Sequence, residues 1–232
     1  MTRRLRWRGI LAALATTALV TSVGVQASSA DEYYTPQPNN GYKIFLSTAD
    51  QSNQGCNGYI ERSGSDSLAA NAAYWLKSRG FIVRVGQDTY ENNVAHSNAW
   101  GANAHIPIHT NAASNTSCVS PSPQASTRGT LVGYYSTTSK GYALSGQLRY
   151  YVGQMAFSST YASPSPGTND ATTGAWAGRL YEIYAPWAPS AYLETEFHDW
   201  TFGTSWVTNY PSYIGKRIAV AVDAWLGYPP NK

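Results

Sequence analysis

Residues 106–112 read Ile106-Pro107-Ile108-His109-Thr110-Asn111-Ala112. A short apolar run ends in a histidine, and small polar residues follow. An imidazole is costly to bury without partners. The end of a strand is also where side chains of an open sheet reach a cleft. His109 is therefore a metal ligand, a general base or a satisfied core residue. Working outward, Lys43–Ser47, Phe81–Val85, Thr130–Tyr135, Leu180–Tyr184 and Ala191–Thr195 also read as strands. Between them Ser67–Arg79 carries Leu68, Ala72, Trp75 and Leu76 at helical spacing, with Gly80 as its stop. Ala95–Ala104 predicts a short helix. Gly141–Phe157 predicts another, with Leu144, Leu148 and Tyr151 as its apolar positions. Pro211–Trp225 closes the chain, with Ile214, Ile218, Val222 and Trp225 on one face. Strands alternating with helices predict an α/β fold: a single domain with one mixed or mainly parallel sheet flanked by helices.

The first 30 residues differ from the rest. Arg3, Arg4, Arg6 and Arg8 precede an uncharged run from Gly9 to Val25, and Ala27-Ser28-Ser29-Ala30 supplies small residues for cleavage. This pattern predicts a secretory signal peptide over 1–30, with a membrane anchor as the alternative. Thr2-Arg3-Arg4 hints at twin-arginine export. Residues 31–41 form a Pro/Asn-rich flexible lead-in, and 42–232 form the functional domain. Four of the 16 Lys and Arg lie in the first 30 residues, and none of the 13 Asp and Glu. Without that segment the chain is close to neutral, which excludes a nucleic-acid partner on charge. The expected product is a secreted or cell-wall-associated bacterial protein with no stable membrane span. Its 18 Tyr and 8 Trp suit a surface that meets sugars or wall polymer, beside their role in the core.

Only Cys56 and Cys118 occur, and in an exported chain such a pair predicts a disulfide. Closing so long a loop is worth at most about 4 kcal/mol in the chain-entropy picture. Residues 52–64, 114–128 and 158–178 read as polar loops.

A second unusual stretch is Ala191-Tyr192-Leu193-Glu194-Thr195-Glu196-Phe197-His198. Glu194 ends an apolar approach, as His109 does. An imidazole-held metal acidifies water and a nearby carboxylate takes the proton, so the pair suits hydrolysis. Glu182 with Glu194 is the alternative, a carboxylate pair for a glycosidase.

Several of these motifs resemble the zinc-dependent N-acetylmuramoyl-L-alanine amidases of the third amidase family, over about residues 42–227. Ile108-His109-Thr110-Asn111-Ala112 resembles the motif that carries a zinc histidine. Leu193-Glu194-Thr195-Glu196-Phe197 resembles the one that carries the catalytic glutamate, with Glu196 in place of glycine. Asn71 matches the asparagine of the first helix, and Asn103-Ala104 an Asn-Ala pair before the third strand. Asp50 stands where that family has its first histidine. Ser67 stands four residues before Asn71, where it has its glutamate, with Asp66 next to it and Glu61 in the loop. Ser47, Gln51, Asp66, Glu194, Phe197, His198 and Asp199 fit a divergent branch better.

The resemblance implies an amidase/phosphorylase-like fold and a peptidoglycan substrate. It also implies zinc, or another divalent metal, held by His109, Asp50 and Asp66. Glu194 would act as general base on metal-activated water, cleaving the amide between N-acetylmuramic acid and L-alanine. Asn111, Gln51 and His198 would contact substrate. The loops 52–64, 114–128 and 158–178 would shape a substrate groove, with Trp176, Trp187 and Tyr184 as glycan or peptide contacts. His96, His105 and His198 are further nitrogen donors, but His105 lies about 13 Å from His109 along one strand, too far to share its metal. Because two of the usual ligands are replaced, the resemblance also admits a catalytically decayed amidase fold that binds cell wall.

Overall fold

A computed structural model of the chain describes residues 31–36, 38–112, 118, 129–135, 139–153, 167–170 and 180–229. The signal segment, most of the loops 114–128 and 158–178, and Trp176 lie outside the described residues. The strands are β1 (Glu32–Tyr34), β2 (Lys43–Thr48), β3 (Ile82–Gly86), β4 (Ala104–Asn111), β5 (Leu131–Tyr134), β6 (Gly167–Asp170) and β7 (Tyr192–Phe197). The helices are α1 (Glu61–Ser78), α2 (Tyr90–Trp100), α3 (Ser139–Gly153), α4 (Tyr181–Tyr184), α5 (Thr201–Asn209) and α6 (Pro211–Trp225). The sheet runs β1-β3-β2-β4-β7-β5-β6. It is parallel except where β1 meets β3 and β5 meets β7. The mixed α/β architecture expected from the sequence is the one observed.

The central strands are buried almost throughout, as strands covered on both faces must be. Side chains alternate between the faces. Ile44, Leu46, Ile106, Ile108 and Leu193 turn to the main apolar core, against Leu68, Ala72 and Leu76 of α1 and Ile214, Ile218 and Val222 of α6. Phe45 and Ser47 of β2, His105 and His109 of β4, and Tyr192 and Glu194 of β7 fall on the opposite parity. That second face is covered by α2 and α4. Gly215 lets α6 close on α1, since a Cβ there would meet the Ala72 nitrogen at 2.6 Å.

Several local expectations are corrected. α1 begins at Glu61 rather than Ser67, so the end of the expected 52–64 loop is helical. α2 spans Tyr90–Trp100, capped by the Thr89 hydroxyl and ended by left-handed Gly101 (φ 68°), and Ala104 already belongs to β4. Leu180–Tyr184 is not a strand: residues 181–184 form the single turn α4. The lead-in carries β1, which Asp31 anchors through Arg84 and through His96 at 3.0 Å. Gly167–Asp170 pairs with β5 inside an expected loop, and α5 was not anticipated. Cys56 and Cys118 are joined in a disulfide. Among the described residues no helix is long and apolar enough to cross a membrane.

Candidate functional site

His109 lies at the C-terminal end of β4, only 3% exposed, with Glu194 beside it in register on β7. Its Nδ1 is 3.1 Å from Glu61 Oε1, and its Nε2 is 3.5 Å from Glu182 Oε2. Tyr192 stacks on the ring at 4.5 Å. Burial alone would strip the imidazole of its charge. The hydrogen bonds to Glu182 and Glu61, with the field of Glu182 and Glu194, outweigh that and push its pKa up to about 10. The two neighbouring carboxylates therefore favour the charged form of His109.

Glu182 is the hub of the cluster. α4 carries it under the sheet ends, where it is buried. Its Oε1 accepts from the Ser47 hydroxyl and lies 3.6 Å from His105 Nε2, while Oε2 faces His109. One carboxylate therefore bridges two histidines four residues apart on the same face of β4. Asn93 Nδ2 donates to Ser47 Oγ at 2.8 Å and holds that hydroxyl in place. The Ser190 hydroxyl donates to the Glu182 carbonyl at 2.6 Å, fixing the turn that carries the carboxylate. Burial opposes the charge of Glu182, but hydrogen bonds from His105 and His109 overcome it and hold the carboxyl down at about 2.

Glu61 opens α1. Its Oε2 accepts from Asn53 Nδ2 at 2.7 Å and its Oε1 from the Thr110 amide at 3.4 Å. The Thr110 hydroxyl is 2.8 Å from His198 Nδ1 and 3.1 Å from the Tyr59 hydroxyl, and Tyr59 stacks on His198 at 5.6 Å. Burial lowers the His198 pKa, against the pull of Glu61 and Asp199. Glu194 is partly buried, with Oε2 sealed from solvent and without a hydrogen-bond partner. Burial raises its carboxyl to about 7, moderated by His109 and reinforced by Glu61.

The remaining expected residues scatter around this cluster. Asp50 follows β2, partly buried; burial raises its carboxyl, with Glu182 raising and His109 lowering it further. Asp66 is directed to Thr48 and Arg62 instead of His109, and burial raises it too. Gln51 is exposed. Asn111 receives the His198 amide on its backbone oxygen at 2.8 Å, while its side chain accepts from the Ala112 amide at 2.7 Å.

A cavity of about 450 Å³ opens over the cluster, lined by Gln51, Tyr90, Glu91, Leu180, Tyr181, Glu182, Tyr184 and Tyr192. Tyr184 is one of the lining residues. Trp187 is 84% exposed and borders a different hollow, beside Pro189 and Trp225.

Three solved structures compare closely in shape. One is the N-acetylmuramoyl-L-alanine amidase AmiC2 of Nostoc punctiforme, with TM-score 0.62 and 18% identity over 79% of this chain and 97% of that one. Another is the catalytic domain of the CD27L endolysin targeting Clostridia difficile, with TM-score 0.60 and 18% identity over 81% and 98%. The third is the catalytic domain of CwlV, an N-acetylmuramoyl-L-alanine amidase from Bacillus (Paenibacillus) polymyxa var. colistinus, with TM-score 0.61 and 15% identity over 81% and 99%. The fold is that of the N-acetylmuramoyl-L-alanine amidases. No family profile matches the chain, and no curated protein does.

The zinc site implied by the sequence resemblance does not fit this amidase fold as the chain fills it. Among the described residues no group of three or more His, Cys, Asp or Glu is placed to hold a metal ion. A histidine ligates through a neutral ring nitrogen. Both nitrogens of His109 instead face carboxylates. Glu61 stands 3.1 Å from Nδ1 and Glu182 3.5 Å from Nε2, so the two carboxylates address different ring nitrogens. Asp50 and Asp66 do not complete a set. The expected zinc, or other divalent metal, on His109, Asp50 and Asp66 is therefore corrected. With it falls the metal-dependent amidase reaction, in which Glu194 was to act on metal-activated water.

Sequence reasoning placed Glu61 in a loop and Glu182 on a strand; it named both carboxylates, but neither as a partner of His109. Glu182 carried one signal, an acid inside the aromatic run Tyr181-Glu182-Ile183-Tyr184.

Proposed function

We propose that this protein is an amidase-fold, cell-wall-binding protein that holds peptidoglycan without metal-dependent hydrolysis. The observation that carries the reading is the His109 clamp. The residue that would ligate a metal is an imidazolium locked between Glu61 and Glu182. The amidase fold and the tyrosine-lined cavity above the clamp support retention of a wall ligand. Tyrosine offers a flat apolar face with a polar edge, which suits sugar rings. Gln51 at the rim is a ligand contact in this reading, while Asn111 and His198 lie outside the cavity lining. The signal pattern at the start of the chain supports export to the bacterial wall, with 42–232 as the binding domain.

The experiment is co-sedimentation with purified sacculi, run beside an assay for new amino groups released from the same sacculi. The expected result is protein in the pellet and no release, with or without added zinc. Zinc-dependent release would overturn the reading, and so would protein that stays in the supernatant.

A further inference from the structure

The cavity above Glu182 is lined by four tyrosines and two glutamates, and among the described residues no lysine or arginine joins them. Tyr90 and Tyr181 meet edge-on at 6.0 Å, and Tyr181 and Tyr184 at 5.5 Å, so their faces turn different ways around one space. All three are exposed. Glu91 sits exposed in the first turn of α2, and Asp50 lies within electrostatic reach of both Tyr90 and Glu182. The Tyr192 hydroxyl stands in the combined field of Glu194, Glu182, Glu61 and Asp50. Among the described residues, the basic group beside these carboxylates is His109, already placed between Glu61 and Glu182.

Ring faces attract cations through their quadrupole, and aromatic cages for ammonium groups are built on that attraction. A carboxylate adds a charge-assisted hydrogen bond. A neutral N-acetyl amide gains from neither. We propose that this cavity binds a primary ammonium group carried by the wall polymer. The inference rests on the wall-binding reading for the source of the ligand and narrows it to one chemistry. Two parts of peptidoglycan present that group: a glucosamine that has lost its acetyl, and the side-chain amine of a diamino acid in the stem peptide.

The test is calorimetric titration of the protein with two matched pairs of probes. One pair is the glucosamine tetrasaccharide and its N-acetylated form. The other is L-alanyl-γ-D-glutamyl-L-lysine and its ε-N-acetyl form. At least one free amine is expected to bind about tenfold or more tightly than its acetylated twin, and the pair that does so names the source. Glu91→Gln should lose most of that preference with an unchanged melting temperature, since Glu91 is exposed, and Tyr181→Ala should weaken binding of the same probe. Equal affinity within both pairs, or no binding by either free amine, overturns the assignment. A preference that survives both substitutions also overturns it. Sacculus co-sedimentation separates the two claims. Pelleting without amine preference sinks the cavity assignment alone; amine preference without pelleting sinks the wall reading alone.

Discussion

The two faces of the sheet are built on opposite terms. The face under α1 and α6 is dry and apolar, filled by Ile44, Leu46, Ile106, Ile108 and Leu193. The face under α2 and α4 buries Ser47, Glu182 and Asn93 in one hydrogen-bonded chain, with His105 and His109 at 3.6 and 3.5 Å from the Glu182 oxygens. Adjacent residues of the same strands feed the two, because alternation sends neighbours to opposite sides. The first face holds the fold. The second holds charge, and a buried charge network is costly unless every member is partnered.

The sharpest way to break this contrast is Glu182→Ala. It leaves two histidines and Ser47 facing an empty position and should cost about 3–5 kcal/mol, as loss of one partner of a buried ion pair does. Chemical denaturation measures it; a cost under about 1 kcal/mol would show that the cluster is not a locked network. The same network shapes the pH dependence of stability. Glu182, held at about 2, contributes stability above the ordinary glutamate range that is lost as pH falls toward 2. His109, raised to about 10, contributes fully below the ordinary histidine value of 6.5, and that contribution is lost as pH climbs through 10. Glu194, raised to about 7, favours the folded state while it holds its proton, and that share is lost as pH rises from the ordinary glutamate value through 7. Denaturation midpoints across pH should therefore fall at both extremes, and Glu182→Ala should lose the acid limb.

On the apolar face, Leu68→Ala should cost roughly 3 kcal/mol by leaving a cavity, with no change in the pH profile. Equal pH sensitivity in that variant would mean the two faces are coupled. Gly215→Ala should cost about 1–3 kcal/mol, because its Cβ meets the α1 backbone and the helices must part. Thermal melting reads this, and an unchanged midpoint would show that α6 can shift freely. The smallest stability effect belongs to Tyr184→Ala at the cavity wall: within about 0.5 kcal/mol, as for a surface residue. Its sacculus binding should nevertheless fall, and unchanged binding would remove Tyr184 from the contact surface.

The fold was largely legible because its central strands are short apolar runs bounded by turn signals, and α6 has a clean 3-4 pattern. What escaped was local. The first turns of α1 read Glu61-Arg62-Ser63-Gly64-Ser65-Asp66, polar throughout, so the helix was expected to start at Ser67, just before the first apolar residue. That shift hid Glu61. Leu180–Tyr184 is a short run rich in apolar and aromatic residues, and over so few residues periodicity does not separate strand from helical turn. α5 contains Thr, Gly and Val and is held by burial of Gly203, Thr204 and Val207 rather than by propensity. The disulfide pair is joined as expected, and His109 lies near the end of its strand, but Glu194, expected at a strand end, is the third residue of β7. The metal was not a matter of position. A motif gives residue order, but which edge of the His109 ring meets which carboxylate is a property of packing.

The central claim is that His109 is a clamped imidazolium and not a ligand. Nitrogen-15 NMR of the histidine rings tests it directly, since the chain has only 4 histidines. At pH 8 the account predicts two protonated His109 nitrogens, titrating near 10 and unmoved by excess zinc. A neutral His109 ring at that pH, with one nitrogen shifting when zinc is added, would contradict it.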